Sequence, residues 1–224
     1  MSATTYTLFS YFRSSASYRV RIALGLKGLE YTYVSVHLLE GGGQQYADAY
    51  RALNPMSELP SLVVRDAGGG EAVLAQSVAI LEFLEETVPS PPLLPAAPVD
   101  RARVRQLVEA VNSSIQPIQN LKVMKKLGAE YGVDAAGQAA WSRHWITRGF
   151  AGLEALLARF AGAHAFGDTV TLADVVLVPQ VYNARRFACD LGAFPTIARV
   201  AAAAEALPAF AAAHPDRQPD SPAP

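Results

Sequence analysis

The first ninety residues alternate between short strand-like and helix-like patterns. A strand is predicted over 5–10, closing on Tyr6-Thr7-Leu8-Phe9-Ser10. A helix over 15–27 follows, with Val20, Ala23, Leu24 and Lys27 at i, i+3, i+4, i+7, the spacing of an amphipathic helix. Tyr31 to Val36 alternates in period two with β-branched and aromatic residues, as a second strand does. Gly41-Gly42-Gly43 forms a loop ahead of a helical stretch at 44–53. Ser61 to Arg65 and Ala72 to Ala75 read as two strands joined by a hairpin-type turn, Asp66-Ala67-Gly68-Gly69-Gly70, and Ser77 to Thr87 reads as a helix. The order is βαβ followed by ββα. Connection lengths imply a parallel first pair of strands and an antiparallel last pair.

After residue 88 the pattern changes. Pro89-Ser90-Pro91-Pro92 and Pro95-Ala96-Ala97-Pro98 mark a stiff linker over 89–99, because proline cannot continue a helix. Everything from 100 to 224 reads as helical. One long segment runs from about Asp100 to Leu127 with a kink expected at Pro117, and another spans 135–160. A third opens with Thr171-Leu172-Ala173-Asp174, a capping-box arrangement with Asp in the Glu/Gln place. The Pro-rich, polar tail from Asp216 to Pro224 is expected to be loosely held. The fold class is therefore α/β plus all-α: a thioredoxin-like domain over 1–88, the linker over 89–99 and an all-helical domain over 100–224.

Composition narrows the function classes. Half of the 224 residues are hydrophobic, enough for a sizeable core. A formal net charge of −1 gives no electrostatic footprint for nucleic acid or an anionic membrane. Arg101, Arg103 and Arg105 are expected to be a solvated helix face. The single cysteine, Cys189, excludes an internal disulfide and fits a reducing compartment. The first residues show no basic or apolar leader pattern, and no apolar run reaches the ~18 residues a membrane helix needs, so a cytoplasmic location is expected. The four histidines have no metal-ligand spacing, and no second cysteine supports zinc, so no metal is expected. There is no G-x-S-x-G elbow, P-loop or G-x-G-x-x-G.

The candidate chemistry lies at the first strand-to-helix turn, Tyr11-Phe12-Arg13-Ser14-Ser15. Serines there act as helix caps by default. The same turn also aims hydroxyls and free N–H groups at one spot, where the helix dipole favours negative charge. A thiolate, the reactive form of a thiol, would be stabilised there. Cys189 is far away in sequence, so the thiol would arrive on a small molecule. Ser14 is the leading hydroxyl, with Ser15 and Ser17 as alternates for which an N-cap role is expected. Lowering a thiol from ~8.5 by two units requires about 2.7 kcal/mol of differential stabilisation, within reach of one hydroxyl donor and a helix terminus. Elsewhere, Gln76-Ser77 opens a helix after a strand, where exposed N–H groups suit a carboxylate. Gln116 and Asn120, at i and i+4, are expected to share one face of the kinked helix. Arg13 and the pair Arg185-Arg186 are surface charges by default, although their guanidinium groups would suit a dicarboxylate if the site handles one.

The run Phe12-Arg13-Ser14-Ser15-Ala16-Ser17-Tyr18-Arg19-Val20-Arg21-Ile22-Ala23-Leu24 resembles the signature of the zeta-class glutathione transferases. Further matches are Gly42-Gly43-Gln44-Gln45, Leu53-Asn54-Pro55-Met56, Gln76-Ser77, Ile115-Gln116-Pro117-Ile118-Gln119-Asn120-Leu121 and Arg217-Gln218-Pro219-Asp220. The resemblance implies the glutathione transferase fold, glutathione as cofactor, a homodimer, and cis–trans isomerisation of maleylacetoacetate or maleylpyruvate by reversible thiolate addition. It implies catalytic roles for Ser14, Ser15 and Arg13. Glutathione would be held by Gln45, Leu59, Pro60, Gln76, Ser77, Gln116, Asn120, Leu121 and Lys122, and substrate carboxylates by Arg13 and Arg186. Glu58-Leu59-Pro60-Ser61 resembles the cis-proline position of thioredoxin-like folds. The family usually has cysteine where this chain has Ala16. Two alternatives remain open: a transferase conjugating halogenated acids or other electrophiles, and a non-catalytic glutathione-binding scaffold.

Overall fold

The computed structural model describes residues 4–222. The chain forms two compact units: one runs to Pro91 and resumes at Pro208, and the other is Pro92–Leu207.

The first unit contains β1 (Thr5–Ser10), α1 (Ser15–Leu26), β2 (Thr32–Ser35), α2 (Asp48–Leu53), β3 (Ser61–Arg65), β4 (Glu71–Ala75) and α3 (Ser77–Thr87). The sheet order is β2-β1-β3-β4; β1 and β2 are parallel and the other pairs antiparallel. The β3–β4 turn is tied by Asp66, whose carboxylate accepts from the N–H groups of Gly68 (2.7 Å) and Gly70 (3.0 Å). The stretch expected to be helical over 44–53 is divided, because Ala47 is extended (φ −65°, ψ 143°). A 3-10 turn at Gln44–Tyr46 precedes it and α2 follows.

α1 is not the amphipathic helix its spacing suggests. Ser17 through Leu24 are all buried, because α3 packs against one flank and α9 (Pro208–Ala213) against another. Three cations are buried with the helix, which is tolerable only if they are paired. The Arg21 guanidinium donates to the Ala213 carbonyl (3.1 Å), Ser10 Oγ (3.2 Å), the Tyr11 carbonyl (3.4 Å) and the Phe12 carbonyl (3.0 Å). Lys27 Nζ donates to Glu85 and to the Pro91 carbonyl, both at 2.6 Å. Arg19 donates to Ser77 Oγ at 3.0 Å.

The return of the chain corrects two expectations. Residues from Pro208 belong with the first unit, not with the helices that precede them. The described part of the tail is fastened rather than loose. Gln218 is buried, and its amide donates to the carbonyls of Ala212 (3.0 Å) and His214 (2.9 Å).

The second unit holds α4 (Pro98–Asn112), α5 (Leu121–Tyr131), α6 (Ala135–Phe160), α7 (Leu172–Arg186) and α8 (Pro195–Glu205). Its core is apolar residues of α4, α6 and α7, among them Val104, Phe150 and Val176. The expected linker over 89–99 is partly structured. α4 starts at Pro98, Leu93 and Leu94 are buried, and the Leu93 carbonyl accepts from the Leu172 N–H at 2.9 Å. Pro117 does not kink one long helix. α4 ends at Asn112, Pro117 sits in a 3-10 turn at Gln116–Gln119, and Asn120 starts a new helix by accepting from the Lys122 N–H (3.2 Å). Proline lacks the N–H that an uninterrupted helix would need. The capping box is present: Thr171 Oγ1 accepts from the Ala173 N–H (3.3 Å), and Asp174 accepts from the Thr171 N–H (2.9 Å).

Candidate active site

Sheet topology gathers the first unit's candidates at one end. β1 and β2 run in the same direction, so both lead out at that end. Phe9 pairs with Ser61, which places the start of β3 there, and Ser61 pairs with Ala75, which places the end of β4 there. Arg13 and Ser14 after β1, Gln45 after β2, Leu59-Pro60 before β3, and Gln76-Ser77 after β4 therefore converge. The N-termini of α1 and α3 point to the same end, and the Arg19–Ser77 bond joins the two helices.

Ser14, not Ser15 or Ser17, caps α1. Its Oγ accepts from the Ser17 N–H at 3.2 Å, and its carbonyl takes the first helical bond, from the Tyr18 N–H at 2.9 Å. The cap role and the thiol role are compatible. A hydroxyl held as an acceptor keeps its own proton free to donate. Ser15 and Ser17 are buried, whereas Ser14 is half-buried and is the accessible hydroxyl of the three. The N–H groups of Ser15 and Ala16 precede the first helical bond and have no acceptor within α1. No acidic residue lies in that first turn, so the dipole's positive end is uncompensated. Arg13 stands beside it with no carboxylate partner among the described residues, its guanidinium about the rings of Tyr11 (6.0 Å) and Phe12 (5.8 Å).

Gln45 is buried, and its side-chain Oε1 has no hydrogen-bond partner among the described residues. Unsatisfied buried polar atoms are costly, and this one lies at the site. Gly43 makes room for it: φ is 116°, and a Cβ there would sit 2.6 Å from the Gln45 amide. The Leu59–Pro60 bond is cis. The segment before it is anchored through the Glu58 carbonyl, which accepts from Tyr50 Oη (2.6 Å) and Asn54 Nδ2 (2.9 Å). The N–H and C=O of Leu59 itself have no partner among the described residues. Gln76 holds a positive φ of 68° and offers α3 no side-chain cap. A non-glycine residue in this region is strained. The N–H groups ahead of the first α3 bond (Ile80 N–H to the Gln76 carbonyl, 3.0 Å) are thus left for another acceptor.

This end of the sheet gathers an unpaired backbone donor and acceptor at Leu59, an uncapped helix terminus at α3 that suits an anion, and an accessible hydroxyl at Ser14. Glu58, Tyr50, Asn54, Arg19 and Arg21 fix these groups. None was singled out from sequence for that purpose: Arg19 and Arg21 reach Ser77 and Ala213, distant along the chain, and Tyr50 and Asn54 meet the nearby Glu58 carbonyl only through the loop's folded geometry.

The remaining candidates lie in the second unit. Gln116 and Asn120 do not share a helix face: the first is in the 3-10 turn and the second caps α5, with Leu121 and Lys122 in its first turn. A buried bond from Gln119 Nε2 to Gln180 Oε1 (2.8 Å) fixes that turn against α7. Arg186 is exposed near the end of α7, 4.5 Å from the Phe187 ring. Its neighbour Arg185 pairs with Glu205. Cys189 is buried beyond α7, and burial pushes its thiol pKa up. No group of three or more His, Cys, Asp or Glu able to hold a metal occurs among the described residues. No described helix is long and apolar enough to cross a membrane.

Residues 13–87 match the sequence profile of the glutathione S-transferase N-terminal domain. The chain is 48% identical to maleylacetoacetate isomerase of Rattus norvegicus, over 100% of this chain and 98% of the relative. The structure resembles that of maleylacetoacetate isomerase from Anaeromyxobacter dehalogenans with glutathione bound in the active site (TM-score 0.89, 49% identity, 99% of this chain and 100% of the other). A second structure of that protein carries dicarboxyethyl glutathione and citrate there (TM-score 0.89, 46% identity, 100% of both chains). The holo structure of a bacterial maleylpyruvate isomerase, described as a zeta-class glutathione S-transferase, is similar as well (TM-score 0.90, 47% identity, 96% of this chain and 100% of the other).

Proposed function

The chain belongs to the zeta-class glutathione transferases, and from that premise we propose that it is a glutathione-dependent cis–trans isomerase of maleylacetoacetate or maleylpyruvate. The observation that carries the reading is the convergence at one sheet end of groups left without partners. They are the Leu59 backbone, Gln45 Oε1, the uncapped α3 terminus and the free Ser14 proton. Bound there, glutathione supplies a thiolate able to add reversibly to an activated cis double bond. Every other task falls to the chain.

Gln76 and Ser77 present the first α3 N–H groups to a carboxylate of the cofactor. Leu59 pairs with its backbone across the position that Pro60 leaves open, and Gln45 contacts it from the loop side. Ser14 donates its proton to sulfur, and the N–H groups of Ser15 and Ala16 add the dipole's positive end. Gln116, Asn120, Leu121 and Lys122 complete the cofactor's environment in this reading. Arg13 and Arg186 receive the carboxylates of a dicarboxylate substrate, for which a planar guanidinium fork is suited. A homodimer and a cytoplasmic location complete it.

The test offers maleylacetone and maleylpyruvate in parallel, with and without glutathione. The reading predicts glutathione-dependent formation of the trans isomer with the tripeptide recovered unchanged. A stable conjugate as the main product, or isomerisation independent of glutathione, would contradict it.

A further inference from the structure

The end of the chain closes on the turn that carries Ser14. Asp220 Oδ2 accepts from the Phe12 N–H (3.0 Å) and from Ser35 Oγ (3.0 Å), and Oδ1 accepts from Tyr33 Oη (2.6 Å). Tyr33 and Ser35 lie on β2, paired with Leu8 and Ser10 of β1. One carboxylate thus bridges the end of the parallel strand pair and the turn that leaves it. On the other side of Phe12, its carbonyl accepts from Arg21 at 3.0 Å. Arg21 also donates to the Ala213 carbonyl, so both clamps on Phe12 are tied to the chain's last segment. Ser14 lies two residues on, past Arg13, its N–H bonded to the Tyr11 carbonyl at 3.0 Å.

We propose that Asp220 is a positioning residue, which fixes the Phe12 peptide and thereby aims the Ser14 hydroxyl and the first N–H groups of α1. The proposal rests on the reading of Ser14 as the thiol partner. A hydrogen bond to an ionised carboxylate is roughly twice as strong as a neutral one, and three donors meet at this carboxylate. Burial, and the carboxylate beside it, push the Tyr33 pKa far up, so its hydroxyl remains a donor. Precision matters here because a displacement of about 1 Å at a reacting group costs on the order of 10²-fold in rate. The fastening by Gln218 keeps the carboxylate in place, at a sequence distance of more than two hundred residues from the turn it holds.

The experiment compares wild type, Asp220→Ala, Asp220→Asn, Ser14→Ala and Asp174→Ala as full chains. Two readouts are taken: amide hydrogen exchange at Phe12, and the pH titration of the thiol of bound glutathione. Asp220→Ala is expected to speed Phe12 exchange about tenfold or more and to raise the thiol midpoint by about one unit. Asp220→Asn keeps one oxygen for the Phe12 N–H and should shift both in the same direction by less. Asp174→Ala, which weakens the other unit, should leave both at the wild-type value. Unchanged Phe12 exchange in Asp220→Ala, or a thiol midpoint that does not move, overturns the proposal, as does an equal shift in Asp174→Ala. If Ser14→Ala leaves the thiol midpoint unmoved, the reading of Ser14 falls, while Phe12 exchange still decides whether Asp220 positions the turn.

Discussion

Replacing Asp174 by alanine removes four interactions from one buried carboxylate. Its Oδ1 accepts from the Ala165 N–H (2.8 Å) and lies 3.5 Å from His164 Nδ1. Its Oδ2 accepts from the Thr171 N–H (2.9 Å) and Thr171 Oγ1 (3.2 Å). Ala165 and Thr171 are themselves buried, so both N–H groups would be stranded away from water. Each stranded group costs about 1–3 kcal/mol, offset in part by relief of the buried charge, which leaves a net loss of about 2–4 kcal/mol. The melting midpoint should fall by roughly 5–15 °C. Both tryptophans, Trp141 and Trp145, lie on α6, so their fluorescence in urea reports unfolding of the unit concerned. Burial raises the Asp174 pKa above its ordinary value despite the opposing hydrogen bonds. The folded state therefore binds this proton more tightly than the unfolded chain. The group's contribution is full below the unfolded pKa, ~3.9, and is reduced as pH rises through the folded value. The stability gap between wild type and Asp174→Ala should accordingly be wider at the acid end of that interval than at pH 7. A variant as stable as wild type, or one that is stable yet inactive, would refute the reasoning.

Cys189→Ala should keep full isomerase activity, and native Cys189 should be alkylated more slowly than free glutathione at pH 8, its rate climbing at higher pH because burial raises the thiol pKa. Ala16→Cys should retain isomerase activity and be alkylated far faster, since residue 16 is half-buried at the α1 terminus; iodoacetamide kinetics with peptide mapping distinguish the two thiols. Gly43→Ala should weaken glutathione binding about tenfold by calorimetry. It forces a Cβ to within 2.6 Å of the Gln45 amide at a φ of 116°.

Much of this architecture is legible in the sequence, and the misreadings share a cause. The predicted helices over Ser77–Thr87 and 135–160 have the bounds found, because their apolar spacing and punctuation are local. α1 misleads because the surface that covers its polar flank, α9, is supplied by residues from Pro208 onward. Arg19 and Arg21 are buried ties in the fold, which the local spacing of α1 does not show. The tail looks loose because its fastenings, Gln218 to Ala212 and Asp220 to Phe12, exist only after the chain has closed. Pro117 was legible as a disturbance but not as a full break, since Asn120 restarts the helix with its own cap. At the candidate site, residue types and order were legible. The orphan Oε1 of Gln45, the unpaired Leu59 backbone and the strained Gln76 were not, because a missing partner is a property of three-dimensional surroundings.

The central claim, that the Ser14 turn converts a bound thiol to its thiolate, is tested most directly by ultraviolet titration of glutathione bound to wild type and to Ser14→Ala. Wild type should show a midpoint well below the ~8.5 of an unperturbed thiol, and Ser14→Ala a midpoint displaced back toward that value with the tripeptide still bound. A midpoint near that of free glutathione in the wild type, or the same lowered midpoint in both proteins, would contradict it.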